Sequence, residues 1–143
     1  SADALYCDRE TLYLVEFKNG SLKETLGKRL NPKDDEELGI NLGQRDALIE
    51  KCKDSVLICS DLWGKRTRWF REHCVFVLVY NEDKNKTALK RVASSIRKKA
   101  RFGLPDKLKG FCVKDVLTLT EKEFSTSLLS TWRDAEEIAE VDA

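Results

Sequence analysis

The 143 residues carry 26 Lys and Arg against 25 Asp and Glu, a net charge of +1, and 41% of them are hydrophobic. That length suits one ordinary domain with a core of its own, and near-neutral charge argues neither for nor against a nucleic-acid partner. No stretch approaches the roughly 18 consecutive apolar residues of a membrane span, and no basic-then-apolar leader opens the chain.

The first element is "ADALYCDRETLYLVEFKN", two alternating runs rich in β-formers around the polar "DRET", which reads as a hairpin. With a turn at Arg9 and Glu10, or at residues 8–11, directly opposed residues have numbers summing to 19. Asp3 then faces Glu16, Leu5 faces Leu14 and Cys7 faces Leu12, and opposed residues share a face of the sheet. Glu16 and Lys18, two apart, also share that face. Asp3, Glu16 and Lys18 therefore cluster at the open end of an otherwise apolar face.

Residues 21–43 form a polar connection. Residues 44–64 carry apolar side chains at 48, 52, 56, 59 and 63, a helical stripe ended by Gly64. "GKRTRWFREH" is a basic, aromatic loop or short helix. "CVFVLVYN" is continuously apolar and β-branched, as expected of a central strand covered on both faces. Residues 87–102 form an amphipathic helix stopped at Gly103 and Pro105, and "FCVKDVLTL" is a further strand. The last helix opens with Thr120 and Glu123 at capping-box spacing and leads to an acidic tail over 134–143. The order ββαβαβα predicts an α/β (α+β) domain, a mixed central β-sheet flanked by helices.

The five cysteines, at 7, 52, 59, 74 and 112, are odd in number and sit mostly in apolar runs, without a CxxC pair. They read as buried thiols of a reducing, cytoplasmic protein, and no zinc site is expected.

Two carboxylates held close repel, and a bound cation relieves the repulsion. Oxygen-only ligands completed by water suit Mg²⁺ or Mn²⁺, and a lysine one side-chain reach away can orient or deprotonate water, or stabilise phosphate charge. An alternative is that Glu16 and Lys18 are a solvated surface pair.

"ADALYCD" and "LVEFKN" together resemble the restriction-endonuclease-like PD-(D/E)XK nuclease superfamily. The resemblance covers about residues 2–81, with the hairpin as second and third core strands, the helix near 46–61 next, and "CVFVLVY" as the fourth strand. It implies Asp3 and Glu16 as metal ligands joined by the Phe17 carbonyl, and Lys18 as the lysine assisting the water, for Mg²⁺-dependent (or Mn²⁺-dependent) hydrolysis of DNA phosphodiester bonds, DNA being favoured over RNA. It also implies that polar residues of the long helix, Lys51 or Lys53 and less strongly Gln44, project toward the site. The position before Asp3 is Ala2 where the motif has proline, and the family's first helix and strand have no counterpart here. The chain has no methionine and so reads as a processed product or a fragment. A homodimer or partner chain completing the sheet, or an inactive relative acting as a nucleic-acid-binding or protein-interaction module, would also explain the difference.

Ten Lys or Arg residues between 84 and 109 face one acid, Asp106. In the helix 87–102, Lys90, Ser94, Arg97 and Arg101 share one face, Arg91 and Lys98 flank it, and Leu89, Val92, Ala93, Ile96 and Ala100 lie opposite. Such a line of cations suits a phosphate backbone, or equally a solvated face. Arg66 and Arg68 interleave with Trp63, Trp69 and Phe70 in a second nucleic-acid-binding candidate, unless Trp63 and Phe70 are core and the arginines only surface.

Overall fold

The computed structural model describes residues 2–20, 22, 42–85 and 104–142. The connection over 21–43, except for Leu22 and the start of the long helix, and the basic helix 87–102 with Lys90, Arg91, Ser94, Arg97, Lys98 and Arg101 lie outside the described residues.

Strands β1 (Ala4–Asp8) and β2 (Thr11–Lys18) pair antiparallel with Leu5 opposite Leu14 and Cys7 opposite Leu12, the register summing to 19. The turn is the two-residue one, and Arg9 adopts φ 53° there, the positive φ that tight hairpins require at their first central residue. The long helix α1 (Leu42–Trp63) ends against Gly64 at φ +63°, a conformation in which a side chain would be strained. Helix α2 (Thr67–His73) leads directly into β3 (Cys74–Tyr80), all seven of whose residues are buried. After a turn of 3-10 helix at Asp83–Asn85, the description resumes with α3 (Leu104–Leu108) and β4 (Asp115–Thr120). Helices α4 (Glu121–Phe124) and α5 (Ser130–Asp142) follow, joined through a π-helical turn over Ser125–Leu129.

The four strands form one mixed sheet in the order β1-β2-β3-β4, with β2, β3 and β4 mutually parallel and β1 at an edge. The protein is thus α+β, with helices on both sides of the sheet. On one side Leu48, Cys52, Val56 and Cys59 of α1 pack with Phe70 onto Leu12, Leu14, Phe76 and Leu78. On the other, Val15, Val75, Val77 and Val79 meet Phe124 and Trp132. The capping box that opens α4 is formed in both directions, Glu123 N donating to Thr120 Oγ1 at 3.2 Å and Thr120 N to Glu123 Oε1 at 3.0 Å.

Several expectations need correction. Trp63 is exposed, because α1 is ending there and has passed the edge of the core. Cys7 is exposed too, since α1 covers β2 and β3 but leaves the same face of the edge strand open; Leu5 is 51% exposed for the same reason. The last strand starts at Asp115 rather than 111. Gly110 turns at φ +77°, Cys112 N and Val113 N donate back to Leu108 O, and Lys114 N, bonded to Cys74 O at 2.7 Å, is the first to reach β3. Pro105 itself sits in the first turn of α3, where its missing N–H costs nothing, while the helix 87–102 that it was expected to stop lies outside the described residues. The acidic segment 134–142 continues α5 instead of forming a separate tail. Among the described residues no helix is long and apolar enough to cross a membrane.

Candidate active site at the open end of the hairpin

Glu16 points to the α1 side of the sheet, is 1% exposed, and lies in the same row as Leu12 and Leu14. An ionised carboxylate there is tolerated only with a partner. Lys51 supplies it, its Nζ donating to Glu16 Oε1 at 2.6 Å while its stem emerges toward solvent at 36% exposure. The bond to Glu16 raises the Lys51 pKa above its ordinary value against the opposing effect of burial, and Asp3 adds to the rise. The ammonium therefore feels both carboxylates. Glu16 Oε2 is buried without a hydrogen-bond partner.

Asp3 sits one residue before β1 and is exposed, and its Oδ2 accepts from Phe17 N at 2.9 Å. In the antiparallel ladder the next pair after Ala4 and Val15 in which both N–H groups bond across would be Ala2 with Phe17. Both donors are diverted: Phe17 N goes to the Asp3 carboxylate, and Ala2 N donates to Ser55 Oγ at 2.6 Å. Ser55, buried on α1, donates in turn to Lys51 O at 2.7 Å. In an extended strand the N–H and C=O of one residue face the same edge, so the Phe17 carbonyl is aimed to the side where Asp3 lies. The Phe17 ring points the other way, edge-on to Phe124 at 5.7 Å.

Lys18 ends β2 on the Glu16 side. Asn81 N donates to Lys18 O at 3.2 Å, Asn81 Nδ2 to Asn19 Oδ1 at 3.0 Å, and Asn85 Nδ2 to Asn81 O at 2.6 Å. Asn85 Oδ1, fully buried, accepts from Leu22 N at 2.8 Å. This asparagine chain fixes the strand ends around Lys18 and leaves the carboxylates and Lys18 near the C-terminal ends of parallel strands, where open α/β sheets commonly bind ligands.

The structure thus brings together Asp3, Glu16 and Lys51, and strand alternation puts Lys18 on the Glu16 face of β2. Gln44, half-buried, lies two turns before Lys51 on the same side of α1. Lys53 is turned about 200° around the helix from Lys51, and its Nζ stands 5.5 Å over the Phe111 ring instead. Of the second candidate surface, Phe70 is core, Arg66 is exposed at the start of α2, and Arg68, 79% exposed, pairs with Glu72 at 3.2 Å. Ser55 and the asparagines were missed as site-building residues. Their only sequence signal is a polar residue inside an apolar stripe, or directly after a buried strand.

Among the described residues no group of three or more His, Cys, Asp or Glu converges to hold a metal ion. A hard divalent cation needs only oxygens and accepts waters, and the oxygens at this end of the hairpin are Glu16 Oε2, the Asp3 carboxylate and the Phe17 carbonyl. The unpartnered Oε2 is the feature that fits such an ion. Comparison with known proteins returned no family model, no curated protein and no solved structure that matches the chain.

Proposed function

We propose that this chain is a restriction-endonuclease-like domain that hydrolyses DNA phosphodiester bonds with Mg²⁺ or Mn²⁺. The observation that carries the reading is Glu16: a carboxylate buried in an apolar face, with one oxygen held by Lys51 and the other, Oε2, given no partner. Asp3, Glu16 Oε2 and the Phe17 carbonyl would hold the cation. When bound, the cation supplies Lewis-acid charge to the phosphate and lowers the pKa of water. Lys51 fixes the rotamer of Glu16 by occupying Oε1, and Ser55 ties the segment bearing Asp3 to the turn of α1 bearing Lys51. Lys18 presents a positive charge beside the carboxylates, placed to orient the attacking water and to stabilise charge developing on the phosphate. The succession hairpin, helix and parallel strand agrees with the order of elements that the resemblance implies. DNA is preferred to RNA as the substrate, Arg66 and Arg68 offer phosphate contacts, and the edge of β1, which no described strand pairs, is where a second copy or a partner chain would extend the sheet.

A second reading draws on one observation. Lys51 already neutralises Glu16, so the carboxylate is stable without a metal, as in a nuclease-fold module that binds nucleic acid or protein and turns nothing over. Cleavage of plasmid and single-stranded DNA with Mg²⁺ or Mn²⁺ separates the two. The nuclease reading expects nicking that falls at least about 10²-fold in Glu16→Gln and in Lys18→Ala, each in the range of a lost catalytic group. DNA binding that ignores divalent metal, with no cleavage by the unsubstituted chain, supports the second.

A further inference from the structure

Four of the five cysteines are buried, and two of them meet. Cys52, in the buried stripe of α1, and Cys112, in the turn between α3 and β4, place their sulfurs 4.0 Å apart although 60 residues separate them. Cys52 is fully buried, while Cys112 is 7% exposed and follows Phe111, which is 61% exposed. We propose that Cys52 and Cys112 are a redox-active dithiol site that closes to a disulfide by exchange with a small-molecule disulfide of the oxidised-glutathione class.

The turn carrying Cys112 is suited to the motion required. A disulfide needs its sulfurs about 2 Å apart, so they must approach by roughly 2 Å. The segment 109–113 is held by backbone bonds within itself and back to Pro105 and Leu108, and it turns at Gly110 with φ +77°. Its backbone is tied to β3 only from Lys114, and because Val113 is fully buried in the core the shift falls on residues 110–112. The two thiols are also unequal. The hydrogen bond with Cys52 and the charge of Lys53 pull the Cys112 thiol below its ordinary value, against burial, whereas that same bond and burial push Cys52 up. Cys112, the more accessible sulfur, is therefore the attacking thiolate.

The exchange balances in two steps. The Cys112 thiolate attacks one sulfur of the small disulfide, forming a mixed disulfide and expelling one thiolate, which takes up a proton. Cys52 then loses its proton and attacks Cys112 Sγ, forming the Cys52–Cys112 bond and expelling the second thiol. The protein gives up two electrons and two protons, and the small disulfide is reduced to two thiols. The bridge fixes α1 to the 109–113 turn, one residue from Lys51. This inference is independent of the nuclease reading.

The test equilibrates the intact chain in graded mixtures of oxidised and reduced glutathione, alkylates the remaining thiols and maps the peptides by mass. The expected product joins the peptides of Cys52 and Cys112 and melts roughly 5–10 °C higher than the reduced protein, a shift reversed by dithiothreitol. Cys112→Ser should abolish both the bridge and the shift, and Cys7→Ser should leave them. Because the mapping uses the unsubstituted protein, it holds even if Cys112→Ser folds poorly. Full alkylation of both thiols, once released by denaturant from protein held at the most oxidising mixture, would overturn the proposal. A bridge formed instead with Cys74, a buried thiol that feels the charge of Cys112, would do the same.

Discussion

On one face of the sheet, Val15, Val75, Val77 and Val79 close against Phe124 and Trp132, with Trp132 stacked on Tyr6 at 4.3 Å and tilted against Tyr13 at 5.1 Å. On the other, the equally apolar Leu12, Leu14, Phe76 and Leu78 share their layer with Glu16, Ser55 and a group of thiols. Both faces are dense, yet among the described residues only one contains an ion pair and an unpartnered carboxylate oxygen. Replacing a buried ion pair by apolar residues of similar volume is often neutral or stabilising, so retention of this one is poorly explained by stability. The first face only packs; the second, which holds the larger buried cluster, also carries a polar site at some cost to stability.

The largest expected effect belongs to the apolar face. Trp132→Ala should cost about 3–5 kcal/mol in urea unfolding, because three aromatic partners lose their contact and a cavity remains. It should leave divalent-ion binding by the folded fraction unchanged; a parallel loss of binding would mean that the two faces are not separable.

Next comes the ion pair. Lys51→Met strands Glu16 without its counter-charge and should cost roughly 2–3 kcal/mol, at or below the low end for breaking a buried pair because the Lys51 side chain is over a third exposed. The double substitution Glu16→Leu with Lys51→Met should recover most of that loss. A double variant as unstable as the single one would make the pair a structural element and remove the contrast between the faces.

Alkaline pH gives a smaller and more gradual effect. Lys51 holds its proton more tightly when folded, chiefly through its bond to Glu16, and burial pushes the Tyr80 phenol up to about 12. Above ~10 the unfolded chain releases both protons before the folded one does, so stability, complete below that pH, falls as pH rises toward 12. Urea midpoints between pH 9 and 12 should drop less steeply in Lys51→Met and in Tyr80→Phe than in the unsubstituted protein.

At the bottom of the scale, Arg68→Ala removes an exposed i,i+4 pair with Glu72 and should change stability by less than about 0.5 kcal/mol. If the α2 surface meets phosphates, the same substitution should weaken DNA binding and flatten its salt dependence by up to about one unit of log–log slope.

Much of the second face was legible in the sequence because strand alternation and register are arithmetic. A turn at Arg9 and Glu10 is enough to place Asp3 opposite Glu16, and the run from Cys74 to Tyr80 could only be an interior strand. The stripe of α1 was legible through Cys59 but not at Trp63, since periodicity gives the direction of a side chain and not where the neighbouring layer ends. The same limit hid the exposure of Cys7 and Leu5, which depends on how far α1 reaches across the sheet. Lys51 and Lys53 were equivalent on paper, and the helix phase that separates them by about 200° acquired meaning only once the buried side was known. The Ser55 clamp on Ala2 and the asparagine chain behind Lys18 join residues 53 and 63 positions apart, and no local pattern announces such bonds.

The measurement closest to the central claim is a calorimetric Mn²⁺ titration of the unsubstituted chain, Asp3→Asn and Glu16→Gln, with each variant's folded state checked by its tryptophan fluorescence. The account predicts one Mn²⁺ per chain, weakened at least about tenfold by either substitution. A chain that binds no Mn²⁺ with Glu16 intact, or binds it equally well in all three proteins, would contradict it.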